Sequence, residues 1–248
     1  LEHFQKFLST DAAIRALTNT IIISALKLVF SFPMPILLAV VLNEIGNQTF
    51  KRVAQTISYL PHFISWIIVA SLLNNLLSPS TGVINAFIQQ LGGDPIYFLA
   101  DKNWFRPILV ISNIWKEIGW SSVVYLAALS GIDPSLYEAA IVDGATRVQR
   151  ITRITLPSIM PIAVTMLILS MGSIMSAGFD QVFNLYSPQV YDVGDILDTY
   201  VYRRGLVDMS YSFSTAVGLF KSVVGLILVV AVNVIAKRLS PDHEAGLW

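Results

Sequence analysis

Five stretches of about twenty largely apolar residues decide what this chain can become: 19–43, 58–78, 107–130, 157–179 and 212–236. As a helix, each is long enough to cross a bilayer. In hydrocarbon only helices and closed barrels satisfy every backbone polar group. Charged residues make up 13% of the 248 residues, about half the share of about 25% usual in a soluble domain. The reading is an all-α polytopic membrane protein, one transmembrane domain over 1–248 with five spans. Lys27, Pro33 and Pro35 interrupt the first span, Lys116 and Glu117 the third, and Lys221 lies near the start of the fifth.

The formal net charge is zero, which argues against a nucleic-acid partner. Cysteine is absent, so there is no disulfide, thiolate zinc site or cysteine nucleophile. The opening LEHFQKFLSTDAAIRAL lacks the apolar core of a cleavable signal peptide. It also lacks an initiator methionine, and reads as a fragment whose true start lies upstream. If the loop after the first span is cytoplasmic, that side carries Lys51, Arg52, Arg147, Arg150, Arg153, Lys237 and Arg238. The other side carries Lys6, Arg15, Lys102, Arg106, Arg203 and Arg204 with more acids, so the cation count favours this orientation only narrowly.

The segment 131–156 is a charged insert between two spans. Gly131 ends the third span. Asp133-Pro134 supplies a helix cap followed by a proline at the first helical position. Ser135 and Glu138 also have capping-box spacing, which allows a start two residues later. The short helix 134–142 carries Glu138, Ala139 and Ala140 and stops at Asp143-Gly144, where glycine takes the left-handed conformation of a C-terminal cap. A second helical piece, 146–154, carries Arg147, Arg150 and Arg153 at three-residue spacing. Those arginines alone read as a lipid-headgroup anchor. A short, capped, small-faced helix at a fixed distance from two spans reads as a helix offered to a groove on a partner.

Glu138-Ala139-Ala140, Asp143-Gly144-Ala145, Ile154-Thr155-Leu156-Pro157 and Pro161 resemble the EAA loop of the membrane subunits of binding-protein-dependent ABC importers. The aromatics usual in that family fall at Val148 and Ile151 here. Along the whole chain, NIWKEIGWSSVVYLAALSGIDPSLYEAA, GFDQVFNLYSPQVYDVGDILDTYVYRRGL and AVGLFKSVVGLILVV resemble the carbohydrate branch, in particular permeases for pectin-type and alginate-type polysaccharide fragments. The resemblance implies a type I importer fold, with six spans in the full chain. It implies a multi-pass place in the bacterial cytoplasmic membrane, with a cytoplasmic helix that couples to an ATPase. Its coupling residues would be Glu138, Ala139, Ala140, Asp143, Gly144, Ala145, Leu156 and Pro157. It further implies an ATPase dimer holding ATP and magnesium, a second permease chain, an external solute-binding protein and an oligosaccharide substrate. Uronate-containing sugars are the narrower expectation, resting on the resemblance and on the membrane lysines Lys116 and Lys221.

No GxxxxGK[ST] stretch occurs, so ATP phosphates are not held here. The histidines His3, His62 and His243 are scattered, and His62 reads as an interfacial residue. The stretch 180–211 reads as a long external loop, in which Asp192, Asp195 and Asp198 have the spacing of one solvated helix face rather than of a calcium loop. Neither an enzyme active site nor a metal site is expected. Asn113, Trp115, Lys116, Glu117, Trp120, Tyr125, Asp180, Gln181, Asn184 and Lys221 supply the polar–aromatic mix a sugar path needs. Aromatic belts at membrane interfaces and charge pairs that fix helix packing use the same residues. Lys116 and Glu117, adjacent on a helix, are not expected to pair. The other readings are an ABC permease for an amino acid or peptide, and an ion-coupled secondary transporter.

Overall fold

The computed structural model describes residues 2–239, and His243 lies outside them. Among the described residues the chain is helical throughout: α1 (Glu2–Ser9), α2 (Asp11–Phe30), α3 (Pro33–Asn43), α4 (Gln48–Tyr59), α5 (Trp66–Leu77), α6 (Val83–Gln90), α7 (Lys102–Ser130), α8 (Pro134–Val142), α9 (Arg147–Arg150), α10 (Leu156–Met171), α11 (Phe179–Leu185), α12 (Tyr191–Gly194), α13 (Leu197–Tyr202) and α14 (Tyr211–Leu239). Among the described residues three segments are each long and apolar enough to cross a membrane: Asp11–Asn43, Arg147–Met171 and Tyr211–Arg238. Most of each apolar window is left unburied, with 22%, 28% and 11% buried in turn, as lipid-facing helices require.

The expected span 58–78 is not one helix. Gln48–Phe63 and Trp66–Leu77 meet at an angle of 100°. Pro61 has no N–H to continue the α-helical ladder, and the chain tightens into a 3-10 turn over Leu60–Phe63, with Leu60 still at helical angles, before it breaks at Ile64. Ser65 then restarts the chain as an N-cap, accepting the Ile68 N–H at 3.4 Å. The expected span 157–179 also ends early. Helix α10 stops at Met171, and Ala177 and Gly178 take left-handed backbone angles of 50° and 84° before α11.

The chain divides into two compact units. The first takes in residues up to Leu28, Ile64–Ser112 and Ser173–Leu226. Its core joins Ile23, Ala70, Phe105 and Leu109 to Val182, Leu185, Val190 and Ile196. A second cluster joins Phe7, Ala13 and Ala16 to Leu197, Tyr200, Phe213 and Val217. The segment expected as an external loop, 180–211, therefore supplies a large part of this core. It is held to α2 by polar bonds as well: Asn19 Nδ2 donates to Asp195 O at 3.0 Å, and Leu197 N donates to Thr20 Oγ1 at 2.8 Å.

The aspartates in this segment do not share a solvated face. Helix α12 ends at Gly194 and α13 begins at Leu197, so the three are split between elements. Asp195 is 2% exposed and takes Arg203 through two bonds of 2.9 and 2.6 Å. Burial opposes the Arg203 charge, but the hydrogen bonds and charge of Asp195 outweigh it and hold the guanidinium above its ordinary pKa. Asp198 pairs with Lys221, and exposed Asp192 receives Arg15 and Lys102. No group of three His, Cys, Asp or Glu residues among the described residues is placed to hold a metal.

The second unit takes in Val29–Phe63, Asn113–Gly172 and residues from Ile227 on. Ala39, Val40, Tyr125, Leu129, Ile159 and Ala163 form its core. Gly119 lets α7 touch the backbone of α4: a Cβ at this position would collide with Ser58 O and Tyr59 N. Small residues at such crossings are how membrane helices approach closely.

Candidate functional site

Helix α8 is built by its two caps. Asp133 accepts the Ser135 N–H at 2.9 Å, and Pro134 opens the helix. That hydrogen bond from the Ser135 backbone lowers the Asp133 pKa below its ordinary value. The cap is thus charged at neutral pH, and its contribution is lost only as pH falls through that lowered value. The alternative Ser135–Glu138 box is not used, because Asp133 has already taken the N-terminal N–H. At the other end Gly144 N donates to Ile141 O at 3.0 Å and Ala145 N to Ala140 O at 2.8 Å. Gly144 has φ +77°. This is a Schellman closure, and it requires the left-handed residue the sequence offered.

Any Cβ at Gly144 would have open space around it, so the constraint there is the backbone angle and not crowding. Gly144→Val is expected to weaken this closure by about 1–2 kcal/mol or more, since a β-branched residue resists positive φ. Amide exchange at positions 144 and 145 checks it: faster exchange is the expected result, and unchanged protection contradicts the assignment.

No residue of α8 is buried. Glu138 and Ala139 are exposed, and Leu136, Ile141 and Val142 are exposed by 50%, 56% and 86%. Glu138 makes no hydrogen bond or ion pair among the described residues. The helix is tethered from one side. Tyr137 Oη lies 3.0 Å from the Oγ1 of buried Thr155. Ile132, Ile151 and Leu156 pack on the core of the second unit. The second helical piece begins with a capping box between Thr146 and Gln149. It is α-helical only to Arg150 and turns π-helical over Ile151–Thr155 before α10, where Pro157 sits in the first turn. The result is an apolar, acid-bearing helix held out from the spans.

Three of the path candidates gather with two residues the sequence reading had left out of the path. His62 Nδ1 lies 2.8 Å from Glu117 Oε2. The His62 ring stacks on Trp120 with centroids 4.8 Å apart and planes 5° from parallel. Phe63 meets Trp120 edge-on at 5.6 Å. Lys116, 5% exposed, donates to His62 O at 2.5 Å and reaches Pro61 O at 3.5 Å. Contrary to expectation, Lys116 and Glu117 do meet, at 3.8 Å. Both side chains bend toward the break after α4, where freed carbonyls attract the ammonium and His62 attracts the carboxylate. Trp115 and Trp120 are exposed by 43% and 47%, and Asn113 is half-buried. Tyr125 is spent in the core. Phe63 and Gly119 were missed because a contact between α7 and the 60–63 turn leaves no local sequence signal beyond a mid-span glycine.

The remaining candidates lie in the first unit. Gln181 is 1% exposed. It donates to Leu109 O at 2.7 Å and Ser112 Oγ at 2.8 Å, and accepts from Lys27 at 2.5 Å. Lys27 also donates to Ala177 O at 2.8 Å, bracing the left-handed break there. Asp180 is exposed, and Asn184 donates back to Asp180 O at 2.7 Å. Lys221 is neutralised by Asp198.

Residues 31–241 match the family described as binding-protein-dependent transport system inner membrane component. Protein LplB of Bacillus subtilis (strain 168) is 46% identical over 241 residues, 97% of this chain and 76% of LplB. The polygalacturonan/rhamnogalacturonan transport system permease protein YteP of the same organism is 45% identical over 248 residues, 100% of this chain and 76% of YteP. A chain in the crystal structure of bacterial alginate ABC transporter in complex with alginate pentasaccharide-bound periplasmic protein superposes with TM-score 0.95 at 47% identity. It covers 100% of this chain and 85% of that one. This chain belongs to the family of binding-protein-dependent transport system inner membrane components, the permease subunits of ABC importers.

Proposed function

We propose that the chain is the permease subunit of an ATP-driven importer that moves oligosaccharides across the bacterial cytoplasmic membrane. Acidic, uronate-bearing fragments are its preferred cargo. The observation that carries the reading is the likeness, at TM-score 0.95 and 47% identity, to a chain of an alginate transporter crystallised with its sugar-loaded periplasmic protein. The similarity to a polygalacturonan/rhamnogalacturonan permease points the same way, since galacturonan is also a polyuronate. On this reading an external binding protein delivers the sugar, and a second, homologous permease chain completes the pathway. Two ATPase subunits hold ATP and magnesium. Helix α8 enters a cleft of one of them, with Glu138, Ala139 and Ala140 on the docking face and Asp143, Gly144 and Ala145 closing the helix. Leu156 and Pro157 carry the movement into α10.

The sugar would pass the surface made by Trp120, Phe63, His62 and Glu117, with Trp115 on the same helix. Ring faces suit the apolar faces of a sugar, and the imidazole and carboxylate suit its hydroxyls. The intramembrane lysines carry less of the preference for uronates than the sequence suggests, because Lys116 is spent on carbonyls and Lys221 on Asp198.

The test is ATP hydrolysis by the assembled importer in vesicles, with its binding protein loaded in turn with uronate oligosaccharides, neutral oligosaccharides and amino acids. Uronate fragments are expected to stimulate turnover most. Stimulation by amino acids alone sinks the substrate class, and uptake driven by an ion gradient without ATP sinks the energy source.

A further inference from the structure

Four arginines of this chain are held by partners within it. Arg15, Arg203 and Arg204 each meet a carboxylate, at 3.2 Å from Asp192, 2.6 Å from Asp195 and 3.1 Å from Asp208. Arg106 is occupied by Val193 O and Asn19 Oδ1. Arg52, Arg147, Arg150, Arg153 and Arg238 have no side-chain hydrogen bond or ion pair among the described residues, and of these Arg147, Arg150 and Arg153 stand together in one short segment. Arg150 is half-buried, and its Nε is enclosed without an acceptor.

Their position says what kind of anion they suit. All three lie in the first seven residues of Arg147–Met171, a segment long and apolar enough to span a membrane. Seven helical residues cover about 10 Å of axis, enough to cross the headgroup layer, about 5–7 Å deep, on one side of the hydrocarbon. Successive members are three residues apart and so neighbours on the helix surface. Exposed Val148 and Met160, at 68% and 53%, place apolar surface beside them. A guanidinium binds phosphate through two parallel hydrogen bonds. Charge, depth and apolar surroundings together fit a phospholipid better than the acidic groups of a soluble partner.

We propose that Arg147, Arg150 and Arg153 form a binding site for the headgroups of anionic phospholipid. The site also reaches α8. Thr155 Oγ1 donates to Arg150 O at 3.5 Å and meets Tyr137 Oη at 3.0 Å. A lipid that fixes the arginine segment therefore steadies the exposed helix. That second consequence rests on the proposed function, whereas lipid binding does not.

The test uses the purified permease–ATPase complex in nanodiscs of phosphatidylcholine mixed with phosphatidylglycerol, and mass spectrometry of the lipid retained after dilution into detergent. The wild type is expected to enrich phosphatidylglycerol. Each arginine changed to glutamine is expected to lower that enrichment about fivefold, the worth of one cation near an anionic surface. The R147K/R150K/R153K variant keeps the charge and most of the enrichment, which separates lipid binding from misfolding. Wild-type enrichment should fall with rising salt, and phosphate at matched ionic strength should do no more than chloride. Enrichment equal in the wild type and the triple glutamine variant overturns the site. So does enrichment indifferent to salt, and selective displacement by phosphate would make it a site for a soluble anion. Loss of the ATPase subunit from the glutamine variant with lipid enrichment intact would assign the arginines to the partner protein instead. ATP hydrolysis in phosphatidylcholine alone is a separate readout. Its fall in the wild type but not in the glutamine variant supports the link to α8, and an equal response in both overturns that link while leaving the lipid site standing.

Discussion

Gly119→Val leaves little or no assembled permease in the membrane. A Cβ at this position would strike the backbone of Ser58 and Tyr59, and backbone cannot swing aside as a flexible side chain does. Overpacking a core typically costs about 1–3 kcal/mol. Here the crossing of α4 and α7 must open, which also pulls apart Lys116 from His62 O and the His62 ring from Trp120. The expected cost is at or above the top of that range. Gly119→Ala should show the same defect in milder form. Gly218→Ala is the control, because an added Cβ there meets nothing within 4 Å and alanine favours the helix by about 0.5–1 kcal/mol. Membrane-inserted protein surviving a detergent melt is the readout. Normal yield and melting for Gly119→Val would contradict the close crossing.

What the sequence discloses follows the range of the interaction. The ends of α8 are readable because Asp133-Pro134 and Asp143-Gly144 act within a few residues of themselves. The start of α14 is readable because 212–236 is largely apolar. The bend after Pro61 is half-readable: the proline is visible, but an unbroken apolar run on both sides looks like one span. The segment 180–211 is unreadable for a different reason. Its helices are only 4 to 7 residues long, and they are fixed by partners such as Asn19 and Thr20, more than 170 positions away. Asp195 looks like a surface residue until Arg203 and Thr199 are brought to it. The site divides the same way. The bounds of α8 were legible from local chemistry and the role expected of its residues came from the family resemblance, whereas the His62–Trp120 stack depends on two distant segments meeting.

Glu138→Ala is expected to release the ATPase or uncouple it while leaving the permease itself folded. Glu138 is exposed and unpartnered among the described residues, so its loss removes nothing from the fold. Within a cleft of another subunit the carboxylate needs a cation, since a buried charge without a partner is strongly unfavourable. Truncating one member of such a pair costs about 2–5 kcal/mol, or about thirty- to several-thousandfold in association. Sugar binding to the external binding protein should not change. A reciprocal exchange, Glu138→Arg with the opposing cation made acidic, should recover part of the loss. The measurement is ATPase retained on the purified permease together with sugar uptake in vesicles. Full retention and unmodified uptake would remove Glu138 from the coupling role.

The most direct test of that role uses the absence of cysteine from the sequence. Val142→Cys places a single thiol at the end of α8, where the side chain is 86% exposed in the isolated chain. In the assembled importer, a short bifunctional reagent should join this thiol to the ATPase subunit. Its reaction with a bulky water-soluble maleimide should be slow, and should become fast once the ATPase is stripped away. A thiol that labels equally fast with and without the ATPase, and never crosslinks to it, would contradict the claim that Pro134–Val142 is the helix through which this permease meets its motor.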